Sequence, residues 1–151
     1  TNIILCISSL IMDNTSIAKF RFNGFTIRKS TIDIKGESII SPEMSLKIDL
    51  NGEHFVKECA FTLYMKVSIT NKDKSIKVTT EAVARYEFDK ECNNTELDNY
   101  FYVNAPAILF PYIRAYIATL STLSGLTNPI MLPTLNLSKL AGQLKNNTLS
   151  K

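Results

Sequence analysis

The order of its sequence patterns predicts an α+β protein. The expected architecture is a four-stranded antiparallel sheet, followed by a long helix and a short C-terminal helix packed on one face. Three observations lead there. From Ile17 to Phe88 apolar residues recur mostly at every second position, the period of a half-buried strand. After Asn104 the period switches to that of a helix. The helix that follows is apolar nearly all round, so it needs cover on more than the side one sheet can supply.

The first strand carries Phe20, Phe22, Phe25, Ile27, Ile32 and Ile34, and its alternation slips at Asn23-Gly24, a bulge signal. A polar loop with Gly36 and Pro42 follows, with Ile39 and Ile40 at its middle. Adjacent isoleucines there either dock on a neighbouring surface or wall a groove. Met44, Leu46, Ile48 and Leu50 alternate with Ser45, Lys47 and Asp49, and Asn51-Gly52 reads as a turn. Cys59 to Ile69 and Ile76 to Phe88 make a long hairpin around Asn71 to Lys74. Residues 89–99 are polar and acidic and read as a loop. Strands are expected near 17–34, 44–50, 56–70 and 75–88, and helices near 105–124 and 136–146.

In the long helix Asn104 is placed as the N-cap, Pro106 in the first turn, and Gly125 as the stop. A membrane span is set aside because Pro111, Arg114 and the late hydroxyl residues interrupt it and no basic cluster flanks it. The preferred cover is a second copy of the protein. On that reading Ile113, Tyr116, Ile117 and Leu120 are sealed between subunits, and Tyr112 and Ala115 lie against their own sheet. After Gly125, Pro129 and Pro133 forbid regular structure while Leu126, Ile130, Met131, Leu132 and Leu135 stay apolar. A loop this apolar covers something or binds something. With Leu137, Leu140 and Leu144 of the last helix, these residues either line a client groove rimmed by Ile39 and Ile40 or close the core.

The chain has 151 residues with 45% hydrophobic and 21% charged residues and a net charge of +3, which suits one domain, spanning 17–146, and excludes global disorder. Residues 1–16 read as an extension, either disordered or an added strand, and 147–151 as a frayed tail. The basic residues are scattered, so no nucleic-acid footprint is evident. Cys6, Cys59 and Cys92 make no metal spacing, and His54 is the lone histidine, on a turn beside Glu53 and Glu58. No nucleophile motif or phosphate cradle is present. A binding protein without a cofactor or metal is expected, rather than an enzyme.

Two segments add a resemblance. Ala107-Ile-Leu-Phe-Pro-Tyr-Ile-Arg114 is similar to the N-I-L-F-P-Y-A-R segment that opens the long helix of the SecB protein-export chaperones. Leu132-Pro-Thr-Leu-Asn-Leu-Ser-Lys-Leu140 resembles that family's F-P-x-L-x-L-x-P-V-N-F-x-x-L region, and Met44 to Leu50 resembles its second strand. The resemblance implies a cytoplasmic homotetramer, a dimer of dimers, that holds unfolded preproteins in apolar grooves without ATP and passes them to the SecA motor. A variant within the class serves a single client such as an antitoxin. An oligomeric adaptor with no holding activity is the reading from another class. This chain is basic overall, whereas the family docks SecA through acidic residues on the sheet, so the motor partnership is the least transferable of these implications.

Overall fold

The computed structural model describes residues 18–36 and 43–151. The expectations for residues 1–17 and for Ile39 and Ile40 lie outside them. Four long strands, β1 (Phe20–Ile34), β2 (Met44–Phe55), β3 (Ala60–Asn71) and β4 (Ile76–Phe88), precede all the helices. Their order in the sheet is β1-β4-β3-β2, every neighbour antiparallel. The expected slip in β1 is present between Phe22 and Phe25, and a second follows between Ile27 and Lys29. Alternation puts Phe61, Leu63, Met65, Val67 and Ile69 of β3 on the covered face, opposite Ile76, Val78, Ala82, Ala84 and Tyr86 of β4, all nearly or wholly buried.

The sheet has five strands rather than four. The segment read as a frayed tail contains β5 (Thr148–Ser150), paired parallel to Gly52–His54 of β2. Asn147 donates its side-chain amide to the Leu50 carbonyl, and the Lys151 amide donates to His54 at 2.8 Å. Asn51-Gly52 is therefore no turn. β2 runs on to Phe55, and the chain turns at Val56 to Cys59. Gly52 serves close approach: a Cβ there would stand 2.7 Å from Thr148 Oγ1 and 2.8 Å from the Phe61 ring.

Residues 89–99 are not wholly a loop. Helix α1 (Asn94–Asn99) is capped by Asn93, whose Oδ1 accepts from the Glu96 amide at 2.8 Å. It continues through a π-helical turn, Tyr100–Asn104, into α2 (Ala105–Leu123). Asn104 is thus interior to a continuous helix and makes no side-chain cap. Gly125, with φ +93°, does close α2. Its amide donates to Thr122 and that of Leu126 to Ser121, the paired bonds of a Schellman ending. The C-terminal helical region begins as a 3-10 turn, Leu137–Leu140, before α3 (Ala141–Asn146).

The π-helical turn carries Phe101 into the core, where its ring stacks on Phe61 at 4.2 Å and meets Phe88 and His54 edge-on. Tyr86 is buried beside this cluster and donates its hydroxyl to the Ala105 carbonyl at 2.7 Å. That bond satisfies the only polar atom of the side chain, and burial pushes the phenol far above its usual range.

Candidate functional site

Successive residues of an α-helix turn by about 100°, which divides α2 into three sectors. Leu109, Ile113 and Ile117 form the first, and all are 0% exposed against their own sheet. Ile113 and Ile117 therefore do not face a partner subunit, and Ala115 is exposed rather than set against the sheet. The assignment of stripes made from the sequence is overturned at Ile113, Ile117 and Ala115, whereas the Tyr112 ring does lie against its own sheet, on Phe22 and Phe25. Branched side chains of high volume fill the gap over the sheet, and alanine cannot.

The second sector holds half-buried Ile108 and Tyr116 with exposed Tyr112, Ala115, Thr119 and Leu123. It lies beside β1. The Tyr112 ring packs at 5.6 Å from Phe22 and 5.1 Å from Phe25, yet stays 48% exposed. Leu120 falls between Leu109 and Ile113 around the helix and is half-buried, packed against the core.

The third sector holds Ala107, Pro111, Arg114, Ala118 and Thr122. The segment from Leu126 to Asn136 runs back along it, antiparallel to the helix. Two hydrogen bonds pin it: the Ile130 amide donates to Ser121 Oγ at 2.8 Å, and Arg114 Nε donates to the Leu132 carbonyl at 2.6 Å. So held, the segment alternates. Ile130 and Leu132 are each 4% exposed and Met131 is 61% exposed. Between helix and segment lie two shallow depressions. One, of about 170 Å³, is lined by Ala107, Phe110, Pro111, Arg114, Leu135 and Leu137. The other, of about 240 Å³, is lined by Ala118, Thr119, Thr122, Leu123, Pro129 and Met131. The two lie along one flank of α2, on either side of the Arg114–Leu132 hydrogen bond, and make an interrupted trough.

Its surface is more apolar than its residue types suggest. Thr119 and Thr122 turn their hydroxyls back to the carbonyls of Ala115 and Ala118, which leaves methyl groups outward. Pro111 has no N–H to give to the Ala107 carbonyl, so that backbone acceptor is free of its usual helical donor. From Ala107 to Thr122 the helix rises about 22 Å, the span of about seven residues of extended chain.

Of the residues expected to bind a client, Met131, Leu126, Leu135 and Leu140 retain accessible surface. Ile130, Leu132, Leu137 and Leu144 are 0–6% exposed and belong to the core. The segment's alternation sends Ile130 and Leu132 inward, and the 3-10 turn and α3 bury Leu137 and Leu144, so of the two readings open for them the structure supports core closure. The side of the trough formed by Ala107, Pro111 and Ala118 escaped the sequence reading, because small residues carry no hydrophobic signal of their own. Among the described residues no cluster of His, Cys, Asp or Glu is arranged to hold a metal, and no helix is long and apolar enough to cross a membrane.

A mainly antiparallel sheet backed by one long helix, with a trough at the helix's flank, defines a sheet-and-helix scaffold whose open helix flanks are largely apolar. Residues 30–147 match the family model described as "Preprotein translocase subunit SecB". That is most of the chain, and the protein belongs to the SecB family. In structure it is similar to a Mycobacterium tuberculosis SecB-like chaperone solved in complex with a peptide from an antitoxin. The two are 16% identical, with a TM-score of 0.66 over 78% of this chain and 91% of that one. A Streptococcus agalactiae protein of unknown function is more distant, at 6% identity and a TM-score of 0.46 over 76% of this chain and 97% of that one. No curated protein matches the chain in sequence.

Proposed function

We propose that this protein is an ATP-independent chaperone that holds unfolded polypeptide segments, extended, in the trough beside α2. The observation that carries the reading is the trough itself, two apolar depressions spread along about 22 Å of helix, with the flexible Met131 side chain at the edge of one. Such surfaces accept many sequences, because methionine repacks easily and a backbone acceptor is indifferent to side chains. The test is aggregation of a reduced, unfolded client with no nucleotide present. Suppression at stoichiometric ratios is expected, and none would return the protein to the class of oligomeric adaptors.

The working unit in this reading is a cytoplasmic homotetramer, a dimer of dimers. Support comes from the second sector of α2 and from β1, whose outer edge has no strand partner among the described residues. Tyr112, Tyr116, Leu120 and Leu123 continue that edge as an apolar wall.

Delivery of preproteins for export is the family's implied task, and service to one client such as an antitoxin is the second reading. The peptide bound to the Mycobacterium tuberculosis neighbour favours keeping it open. Panels of unrelated clients separate the two. Docking to SecA is expected to be weak or absent. On the outer sheet face Asp49 lies 3.7 Å from Lys47, and Glu81 3.7 Å from Lys66, so these carboxylates do not form the unpaired acidic surface that would steer a motor. Submicromolar, salt-sensitive binding in calorimetry would overturn this expectation.

A further inference from the structure

We propose that the apolar run at residues 3–12 of this same chain is an internal pseudo-client, which docks in the depression lined by Ala107, Pro111 and Leu135 until a client displaces it. This rests on the chaperone reading above and names the regulation of its site.

A second hollow adjoins that depression. It encloses about 340 Å³ between Ala18 and Phe20, where the chain enters β1, and Tyr100, Ala107 and Ile108 of the helix. Ala107 also lines the depression, so the two meet at that residue. The Phe20 ring stacks on Tyr86 at 5.0 Å and on Tyr100 at 5.1 Å, which gives the hollow an apolar wall.

The run is joined to the chain at the mouth of this hollow. Ala18 is the first described residue before β1, and its position is fixed. Arg21 Nη1 donates to the Ala18 carbonyl at 3.1 Å, and the Asp89 amide donates to the Lys19 carbonyl at 3.0 Å. Residues 13–16, Asp-Asn-Thr-Ser, form a polar tether between that point and the run. The six steps from Met12 to Ala18 reach about 20 Å when extended. The helix rises only about 10 Å from Ala107 to Arg114, the far end of the depression. Hollow and depression are therefore within the run's reach.

The run reads Ile-Ile-Leu-Cys-Ile-Ser-Ser-Leu-Ile-Met and carries no charge. Such a segment gains by leaving water, and it has the chemistry of an unfolded client. Tethered beside the site, it acts at an effective concentration of about a millimolar. A free segment of equal affinity does not displace it at micromolar concentration. Only longer or more apolar clients do, so the run sets a threshold below which short apolar stretches are ignored.

Fluorescence anisotropy of a labelled apolar heptapeptide compares the full chain with one lacking residues 1–12. The shortened chain should bind about tenfold more tightly. The 3–12 sequence, fused to a soluble carrier, should displace the label from it. Ile7→Asp combined with Leu10→Asp should reproduce the gain in a chain of full length. A photoreactive side chain at position 107 should crosslink to residues 3–12 of its own chain, read by mass spectrometry in mixtures of heavy and light isotopic protein. Equal affinity of the full chain, the shortened chain and the double variant would overturn the proposal and leave the chaperone reading standing. The absence of any crosslink to the run would also overturn it. Crosslinks that join heavy to light chains would assign the site to a second copy and overturn it too. If none of these proteins binds the peptide, the chaperone reading falls and takes this proposal with it.

Discussion

The two open flanks of α2 are alike in polarity and unlike in shape. Beside β1 the helix presents Tyr112, Tyr116 and Leu123, continuous with Phe22 and Phe25. Beside the segment from Leu126 to Asn136 it presents Ala107, Pro111 and Ala118 around one arginine. Large flat side chains build a raised surface that a rigid partner of fixed shape can match. Small ones recess the helix and leave a channel for a chain of variable side chains. The first suits self-association and the second suits a client, although a hydropathy scale does not separate them.

Neighbouring residues of the helix offer the sharpest way to break this comparison. Ile117 is 0% exposed in the core sector, and Ala118 lines the trough. Ile117→Asp buries an unpaired charge, with a penalty of several kcal/mol that a domain of this size does not survive. Loss of the cooperative melt in circular dichroism is expected. Ile117→Ala should cost about 2–5 kcal/mol. Ala118→Asp should leave the melt nearly unchanged and abolish client holding. A folded Ile117→Asp protein, or an unfolded Ala118→Asp one, would mean that the sectors are misassigned.

The aromatic flank should answer to a different measurement. Tyr112→Asp removes ring contacts worth about 1 kcal/mol within the subunit, and places a charge on the surface proposed to meet another copy. Light scattering should show a smaller particle, while peptide binding to each subunit persists. A variant that keeps the wild-type mass would remove Tyr112 from the interface.

These contrasts explain what the sequence made legible. Strand periodicity located β1 to β4 because one face of each is sealed, as at Phe61, Leu63 and Met65. It missed β5, since three residues are too few to show a period and their pairing depends on Gly52 lying beside them. It missed α1 although two signals were present: Asn93 followed by Glu96, a capping pattern, and Leu97, Phe101 and Ala105 at helical spacing. Polar composition outweighed both. On α2, hydropathy alone could not rank three apolar sectors. Polar atoms could have done so, because Leu109, Ile113 and Ile117 are purely aliphatic at a spacing of four, whereas the neighbouring stripe carries the hydroxyls of Tyr112 and Tyr116.

The smallest expected effect lies at the rim of the core, away from both flanks. His54 is part-buried with its ring edge-on to Phe88 at 5.5 Å and Phe101 at 4.8 Å. Burial disfavours the imidazolium and lowers its pKa below the ordinary 6.5. The unfolded chain therefore binds a proton more readily than the folded one as pH falls through that value. The stability contributed by neutral His54 is complete above about 6.5 and declines below it, until the folded group also titrates. Glu53 beside it is shifted down by its hydrogen bonds to Lys151 and Tyr64, so its own loss of stability begins in a more acidic range and does not mask the histidine. Melts should show a shallow drop in midpoint between neutral and mildly acidic pH. His54→Phe should flatten that drop while leaving assembly and peptide binding as in the wild type at neutral pH. A slope unchanged in His54→Phe would assign the effect to another group, and a change in peptide affinity would show that the core's rim and the trough are coupled.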